Sequence, residues 1–191
     1  MSSPKSAGLL PGTSRALGLV KAMRPRQWIK NVLVFAAPLA ALDRSGYQNY
    51  AEILAKTAIA FAAFCLAASA IYLVNDCRDV EADRQHPTKR FRPIAAGIVP
   101  PAVAYVAAVV SAVGAVAVAL TANVALAVLV AIYIVLQLAY CYGLKHESVL
   151  DICIVTSAYV FRAVGGGVAA GLPLSQWFLL VVVRLAVPGS R

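Results

Sequence analysis

Long apolar runs separated by short polar segments form the dominant pattern of this 191-residue chain. Several runs extend for about 18 to 20 residues without a charged side chain, which is enough for an α-helix to cross a bilayer. Their apolar residues are continuous rather than alternating, which disfavours a transmembrane β-barrel. A hydrophobic content of 61% is also far above that of an ordinary soluble domain. The pattern therefore predicts an all-α fold, a polytopic transmembrane helix bundle.

The positions of the apolar runs predict five spans and the beginning of a sixth. Pro100 and Pro101 mark the start of the third span, because proline is tolerated in the first turn of a helix. Three consecutive glycines at positions 165–167 allow either close helix packing or a helix break near the end of the fifth span. The predicted spans are Asn31–Leu42, Thr57–Val74, Pro100–Leu120, Val124–Tyr142, Val149–Val168 and a run that begins at Trp177.

Basic side chains, which give the chain a net charge of +9, are concentrated in alternate polar segments. The first 30 residues carry six of them, the segment Asn75–Gly97 carries five, and the loop Gly143–Ser148 carries one. The positive-inside rule therefore predicts a multi-pass protein of the cell membrane with its N-terminus and both of these loops in the cytoplasm. Basic residues such as Arg24 and Arg90 are interpreted as setting this topology or contacting anionic lipid. No signature of a nucleic-acid-binding module is visible, so nucleic acid is not expected as a partner.

The segment Asn75–Gly97 concentrates the acidic chemistry of the chain, with four of its eight acidic residues. On a continuous helix, the i, i+3, i+7 spacing of Asp76, Asp79 and Asp83 places all three carboxylates on one face. Like charges on one face repel without a counter-ion. Mg²⁺ favours one or two carboxylates together with the phosphate oxygens of a substrate, and the basic residues that follow would take the remaining phosphate charge. The spacing therefore predicts a site for Mg²⁺ and a diphosphate at the membrane surface.

The sequence resembles the UbiA superfamily of membrane prenyltransferases. The resemblance rests on the motif NDxxDxxxD at residues 75–83, on the downstream Arg92, Pro93 and Gly97, and on the upstream segment MRPRQWIKN at Met23–Asn31. Three further stretches, YLVNDCRDVEADRQHPTKRFRPIAAG, YGLKHESVLDICIV and FRAVGGGVA, are similar to one branch of that superfamily, whose enzymes transfer a phosphoribosyl group to a polyprenyl phosphate. The similarity extends from about residue 20 to about residue 180.

The resemblance implies a Mg²⁺-dependent transfer of 5-phosphoribosyl from phosphoribosyl diphosphate to decaprenyl phosphate, within membrane lipid, for the synthesis of a cell-wall arabinan precursor. It implies that Asp76, Asp79 and Asp83 are the catalytic residues and hold the metal. Arg162 is a candidate site residue on separate grounds, because ionisable side chains within apolar spans are rare and usually belong to a functional site. The predicted substrate-binding residues are Lys30, Lys89 and Arg92 for phosphate groups, Tyr72 for the sugar, Asn75 for the ribose or a phosphate, Lys145 for the lipid phosphate, and Arg162.

The superfamily fold has about nine transmembrane helices in two halves around one cavity, so the resemblance implies that about six of them are present. Residues 1–15 are predicted to be a disordered N-terminus, and residues 16–191 a partial UbiA-like transmembrane domain. The family's second motif, in the loop after the sixth helix, is absent from the sequence. We therefore expect the chain alone to be inactive or weakly active. We hypothesise that a frameshift near Val183–Val187 truncated the open reading frame before the second motif, and sequencing of the gene would test this.

The sequence leaves two other functions open. One is a UbiA-type polyprenyltransferase that acts on an aromatic acceptor. Lys145 and the LKHE segment favour the phosphoribosyl branch over this enzyme. The other is a non-enzymatic membrane transport or interaction protein. A transporter more often carries its polar groups on broken helices at the bilayer midplane, whereas here they gather at one interface. A homo-oligomer and the length of the acceptor chain also stay open.

Overall fold

The computed structural model describes residues 14–41, 49–143 and 148–186, and the regular structure within these ranges is helical, without a strand. This confirms the predicted all-α class. A long 3-10 helix (Pro25–Phe35) precedes α2, and a short 3-10 turn (Lys89–Phe91) follows α4. The α-helices are α1 (Arg15–Ala22), α2 (Ala36–Ala41), α3 (Tyr50–Arg78), α4 (Val80–Gln85), α5 (Pro101–Leu120), α6 (Val124–Tyr142), α7 (Ser148–Ala170) and α8 (Gln176–Ala186).

Helices α3, α5 and α6 are, within the described ranges, long and apolar enough to cross a membrane. Helix α3 is the central one, because 67% of its apolar window is buried inside the protein, against 28% for α5 and 33% for α6. The predicted second, third and fourth spans are therefore confirmed as membrane-spanning candidates. The predicted fifth and sixth runs lie in α7 and α8, which are both helical.

Helix α5 packs against α3 through a stripe of small side chains. Small residues let helix backbones approach closely, which is a common basis of helix association in lipid. The opposite face of α5 carries exposed valines such as Val106 and Val110, as expected for a surface in contact with lipid. The buried stripe consists of Ala104, Ala108, Ser111, Ala115 and Ala119. This division of α5 into a packed face and an apolar outer face is that of an integral membrane protein.

The predicted first span, Asn31–Leu42, is wrong as a single helix. Its residues fall partly in the 3-10 helix and partly in α2, which ends at Ala41. Proline lacks an N–H group and is tolerated only near the start of a helix, where that group has no intrahelical partner. Helix α2 accordingly begins only two residues before Pro38. By contrast, α3 extends beyond the predicted span Thr57–Val74 at both ends.

The N-terminal helix α1 lies over the segment that follows the acidic motif. It begins at Arg15, and the Ser14 hydroxyl oxygen accepts a hydrogen bond from the backbone of the first turn at 3.3 Å. Gly18 of α1 lies so close to Ile98 that a Cβ atom would approach that side chain to 2.8 Å. The predicted disordered N-terminus, residues 1–15, stays a prediction, because residues 1–13 lie outside the described part of the chain.

The three consecutive glycines permit close packing and do not break α7, which continues to Ala170. A Cβ atom on Gly165 would press against the ring of Phe64 in α3. A Cβ atom on Gly166 would overlap the backbone carbonyl oxygen of Val34 in the long 3-10 helix. Of the two alternatives that the sequence left open, the structure thus shows close packing, and it places the backbones of α7 and the 3-10 helix in direct contact.

We expect Gly166→Ala to lower the free energy of unfolding by about 3 kcal/mol, the upper end of the usual cost of overpacking. The obstacle is a backbone atom of Val34, which cannot rotate away as a side chain can. Gly114→Ala in α5 is the matched control, because its Cβ atom would meet only Leu66, at an ordinary distance of 3.8 Å. Thermal unfolding of both variants in the same micelles measures the difference, and equal midpoints would contradict the proposed backbone contact.

The end of α3, the start of α5 and the end of α6 meet at one end of the bundle. The Cys77 thiol of α3 donates to the backbone carbonyl of Pro101 at 3.7 Å. The Arg78 guanidinium lies over the ring of Tyr142, 4.4 Å from its centroid. The acidic motif leaves α3 at this end, so the fold places its carboxylates where the apolar helices give way to polar side chains.

Candidate active site

Two buried carboxylates converge where the acidic motif leaves the bundle. Asp76 lies in the last turn of α3 and Asp83 in α4, and they are 2% and 3% exposed. Arg92, just after the short 3-10 turn, donates from a single nitrogen to both of them. Its Nη1 lies 3.2 Å from Asp76 Oδ1 and 2.7 Å from Asp83 Oδ2. The two carboxylates are therefore close neighbours that share one counter-ion.

The helix that carries the motif is interrupted at Asp79, which ends α3 and precedes α4 with φ −90° and ψ 8°. Asn75 Nδ2 donates to Asp79 Oδ2 at 3.2 Å. The prediction of three carboxylates on one face of a continuous helix is therefore wrong, because Asp76 and Asp83 turn towards Arg92 while Asp79 contacts Asn75. Two buried carboxylates are stabilised by a shared guanidinium, whereas three aligned ones would repel each other.

Arg24 is a second cation on Asp76. Its Nη2 donates to Asp76 Oδ1 at 2.6 Å, and its guanidinium lies over the ring of Tyr72, 4.8 Å from the centroid. The sequence interpreted Arg24 as a residue that sets topology or contacts lipid, with a phosphate ligand near the site as the alternative, and the structure places its guanidinium on a carboxylate of the acidic motif. The sequence did place Arg24 in the segment MRPRQWIKN, which carries part of the resemblance to the family. Its spacing along the chain could not show that this segment folds back onto α3.

Arg24 has a left-handed backbone conformation, with φ 55° and ψ 58°. This conformation is rare for a residue with a Cβ atom and costs on the order of 1–3 kcal/mol, so the surrounding contacts must hold it. Trp28 Nε1 donates to the Ser69 hydroxyl at 3.1 Å, and that hydroxyl lies 3.2 Å from the carbonyl oxygen of Met23. These bonds fasten the start of the 3-10 helix to α3 and so place the Arg24 guanidinium on Asp76.

A cavity of about 170 Å³ lies next to this cluster of charges. Tyr72 connects the two, because its ring lines the cavity and also lies beneath the Arg24 guanidinium. Three of the predicted substrate-binding residues, Lys30, Tyr72 and Arg162, line the same cavity. The other polar side chains in its wall are Tyr133, Gln137 and Tyr159. The fold therefore combines residues that are far apart in the sequence into one pocket, whose wall also contains the apolar side chains of Ala68, Ile71 and Ala158.

Arg162 of α7 crosses the interior of the bundle and is only 7% exposed. Its Nε donates to Asn31 Oδ1 at 2.7 Å, and its Nη1 donates to the backbone carbonyl of Ala158 at 2.6 Å. Its Nη2 donates to the Tyr133 hydroxyl at 3.0 Å. All of these partners are neutral, and no carboxylate of the described residues pairs with this guanidinium. Among the described residues, Arg162 is thus a buried cation surrounded by neutral hydrogen-bond acceptors and by the rings of Tyr133 and Tyr159, whose centroids lie 5.4 and 6.0 Å from its Cζ.

The remaining predicted residues are distributed differently. Asn75 lies at the end of α3, where it contacts Asp79 and accepts from the Cys141 thiol at 3.7 Å. Lys89 lies on the exposed 3-10 turn and does not line the cavity. Lys145 lies outside the described residues. The structure therefore groups Asp76, Asp83 and Arg92 in one cluster and Lys30, Tyr72 and Arg162 in the neighbouring cavity.

The donor set of the cluster fits Mg²⁺ bound together with a diphosphate. Within the described residues, no group of three acidic, histidine or cysteine side chains is arranged to hold a metal ion by itself. Mg²⁺, however, is commonly held by one or two carboxylates with the substrate's phosphate oxygens as further ligands. Asp76 and Asp83 provide two neighbouring carboxylates, and Arg92 uses only Nη1 for them. Its Nε and Nη2 have no partner in the described part of the chain, so they can donate to a phosphate group.

Comparison with known proteins agrees with this geometry. The chain is 61% identical over 174 residues to a decaprenyl-phosphate phosphoribosyltransferase of Mycolicibacterium smegmatis, covering 90% of this chain and 54% of that protein. It is 58% identical over 172 residues to the protein of that name from Mycobacterium tuberculosis, with 90% and 57% covered. For the protein from Corynebacterium glutamicum, the identity is 57% over 174 residues, with 90% and 52% covered. The chain therefore spans about half the length of these curated relatives.

The family model of the UbiA prenyltransferase family matches residues 32–188. This range covers more than four fifths of the chain, and it contains Asp76, Asp83 and Arg92. It also contains the helices α3 and α4 that position the two carboxylates. The chain therefore belongs to the UbiA prenyltransferase family.

Proposed function

We propose that the protein transfers a 5-phosphoribosyl group from phosphoribosyl diphosphate to decaprenyl phosphate, with Mg²⁺ as cofactor. The observation that carries the proposal is the polar cavity beside the two buried carboxylates, whose wall contains Lys30, Arg162 and three tyrosines. Lys30, Arg162 and the tyrosine hydroxyls provide hydrogen-bond donors for the phosphate oxygens of a phosphorylated sugar. The names of the mycobacterial and corynebacterial relatives support the same transferred group and the same acceptor.

In this proposal, Asp76 and Asp83 hold Mg²⁺, with Asp79 and Asn75 at the adjoining helix break. When bound, the ion neutralises negative charge on the leaving diphosphate. Arg92 contacts both carboxylates through Nη1 and directs its remaining N–H groups to phosphate oxygens. Its planar guanidinium suits phosphate recognition by several parallel hydrogen bonds. Lys89, on the exposed turn, would approach the diphosphate from the solvent side.

The reaction itself requires little acid–base chemistry from the protein. A phosphate oxygen of the acceptor forms a bond to ribose C1 while the bond from C1 to the diphosphate oxygen breaks, and the diphosphate leaves with that electron pair. The acceptor is already an anion, so no strong general base is needed. The side chains that line the cavity include no histidine. The work of the site is therefore to position two anionic substrates and to balance their charge.

We also propose that the site faces the cytoplasm, as the distribution of basic residues predicts. A soluble, phosphorylated donor would reach the site from that side, while the acceptor would enter from the lipid. The product would be a precursor of cell-wall arabinan. Lys145, which would bind the lipid phosphate, belongs to a segment outside the described residues, so its role stays a prediction.

The test uses membranes that contain this chain, labelled phosphoribosyl diphosphate, decaprenyl phosphate and Mg²⁺. We expect little or no label in the lipid fraction with this chain alone and strong labelling with the chain extended to the full length of its relatives. Chelation of Mg²⁺ should abolish the labelling, and restored Mg²⁺ should recover it. Because this chain covers only 54% and 57% of these two relatives, the chain extended to their full length is assayed in parallel. Absence of label from both proteins would contradict the proposal. Transfer of an isoprenoid chain to an aromatic acceptor would support the alternative enzyme instead.

A further inference from the structure

We propose that His86 is a positioning residue of the candidate active site, whose ring caps the short 3-10 turn and thereby places Lys89 and Arg92 for a diphosphate bound with Mg²⁺. The inference rests on the proposed function, because these two cations bind the leaving diphosphate in that proposal. His86 lies between Asp83 and Arg92 in the sequence, but it belongs neither to the carboxylate cluster nor to the wall of the cavity. Its role is to shape the backbone that connects α4 with Arg92.

The imidazole of His86 accepts hydrogen bonds from two backbone N–H groups that follow it. The amide nitrogen of Thr88 lies 3.2 Å from Nδ1, and that of Lys89 lies 3.3 Å from the same atom. A backbone N–H group can only donate, so Nδ1 is the acceptor and the ring proton lies on Nε2. A side chain that accepts from the amides two and three residues ahead has the arrangement of a helix N-cap. Pro87 occupies the first position after the cap, where proline is favoured.

The short 3-10 turn depends on this cap because little else holds it. None of its residues is buried, and the side chain of Phe91 is 61% exposed. Packing against the bundle therefore contributes little, and a helical segment of this length is only marginally stable by itself. The first amides of a helix lack partners within it. The two bonds to His86 supply partners for the amides of Thr88 and Lys89.

Backbone hydrogen bonds connect the cap to both charged groups of the site. The His86 amide donates to the carbonyl of Asp83 at 3.2 Å, which joins the cap to α4. At the other end of the turn, the Arg92 amide donates to the carbonyl of Lys89 at 2.9 Å. A continuous series of hydrogen bonds therefore runs from α4 through His86 to Arg92. Loss of the cap would release the backbone of Lys89 directly.

The segment after Arg92 is fixed separately. Ile94 is 1% exposed, and Arg84 Nε of α4 donates to the carbonyl of Ala95 at 3.2 Å. Loss of the cap would therefore open the exposed turn before Arg92 and leave the helix bundle intact. An open turn must be ordered when the ligand binds, and this ordering costs affinity. The cap thus affects the binding of a diphosphate rather than the stability of the bundle.

The experiment compares three variants of the chain extended to the full length of its relatives. His86→Ala removes the acceptor. His86→Asn keeps it, because asparagine carries Oδ1 where the imidazole carries Nδ1, and asparagine is a preferred N-cap residue. Gln85→Ala is the matched control, since Gln85 is an exposed neighbour whose side chain forms no hydrogen bond among the described residues.

Two measurements report the ligand and the cap independently. Calorimetric titration with inorganic diphosphate and Mg²⁺ gives the dissociation constant for each variant. Hydrogen exchange at the backbone amides of Thr88 and Lys89 reports the cap itself, without any ligand. The KM for phosphoribosyl diphosphate and kcat for label transfer are measured on the same proteins.

We expect His86→Ala to weaken the binding of diphosphate with Mg²⁺ by about fivefold, the usual effect of removing an N-cap side chain. Both amides should exchange faster, while the midpoint of thermal unfolding stays unchanged. The KM for phosphoribosyl diphosphate should rise by a similar factor and kcat should stay within about twofold, since a saturating donor orders the turn. His86→Asn and Gln85→Ala should match the unmodified protein in every measurement.

Unchanged binding of diphosphate in His86→Ala would overturn the inference. Equal losses in His86→Ala and His86→Asn would also overturn it, because an acceptor at the same position would then be insufficient. Transfer with the same KM in all variants would reject the role of His86 and leave the proposed function intact. If diphosphate binding changes as expected but the unmodified extended protein transfers no phosphoribosyl group, the proposed function is in error while the positioning role of His86 stands.

Discussion

Asp76→Asn is expected to reduce phosphoribosyl transfer by about 1,000-fold, at the upper end of the effect of removing one preorganised electrostatic group. Asp76 is the carboxylate on which Arg24 and Arg92 both converge, and it is 2% exposed. Asparagine has nearly the same shape and can still accept hydrogen bonds from both guanidiniums, but it lacks the negative charge that holds Mg²⁺. Initial rates of label transfer into lipid by the chain extended to the full length of its relatives, measured over a range of Mg²⁺ concentrations, would show the loss.

Glu81→Gln is the matched control for this experiment. Glu81 belongs to the same acidic motif, but it is exposed and forms its ion pair with Arg84 at the surface. We expect its replacement to change the rate by no more than about twofold, since exposed ion pairs contribute little. Equal rates for Asp76→Asn and the unmodified protein would contradict the assignment of Asp76 to the metal site. An equal loss of rate in Asp76→Asn and Glu81→Gln would contradict it as well.

Arg92→Met is expected to reduce transfer by about 100-fold, within the range for loss of one electrostatic contact. The variant leaves Asp76 and Asp83 buried beside each other with Arg24 on only one of them. Their repulsion should also lower the midpoint of thermal unfolding. Added Mg²⁺ should then raise this midpoint more in the variant than in the unmodified protein, because the ion takes over the neutralisation that Arg92 provided.

Arg90→Met provides the comparison for Arg92→Met. Arg90 is a cation of the short 3-10 turn that precedes Arg92, and within the described ranges its guanidinium contacts the ring of Phe91, 4.9 Å from the centroid, and no carboxylate. We expect transfer by this variant to stay within about twofold of the unmodified protein, as is usual for a change at an exposed position. If Mg²⁺ stabilises Arg92→Met no more than Arg90→Met, the shared counter-ion is not the role of Arg92.

The two arginines on Asp76 differ in how the chain places them. Arg92 follows Asp83 by nine residues and reaches both carboxylates through a local turn. Arg24 arrives from a segment 52 residues away and has a left-handed backbone conformation. Backbone strain of this kind persists only where the surrounding structure holds it, and it is concentrated at functional sites. The long 3-10 helix is therefore part of the candidate active site and not merely a connection before the first membrane span.

Several features followed from local sequence alone. The continuous apolar runs determined the all-α class and the positions of α3, α5 and α6, because a helix in lipid must satisfy its own backbone groups and present apolar side chains outward. Pro100 and Pro101 determined where α5 begins. The grouping of acidic and basic residues in Asn75–Gly97 identified the segment that carries the carboxylate cluster. In each case the determining interaction lies within one helix or one turn.

Only the tertiary structure decided which charged groups meet. The spacing of three aspartates could not show the helix break at Asp79, or that Asp76 and Asp83 share the Arg92 guanidinium. The sequence could not show that Arg24 reaches Asp76 or that Arg162 reaches Asn31, because these contacts join residues 52 and 131 positions apart. The physical reason is that helical periodicity specifies the faces of each helix, whereas the pairing of faces depends on close packing, as where the backbone of Gly166 meets that of Val34.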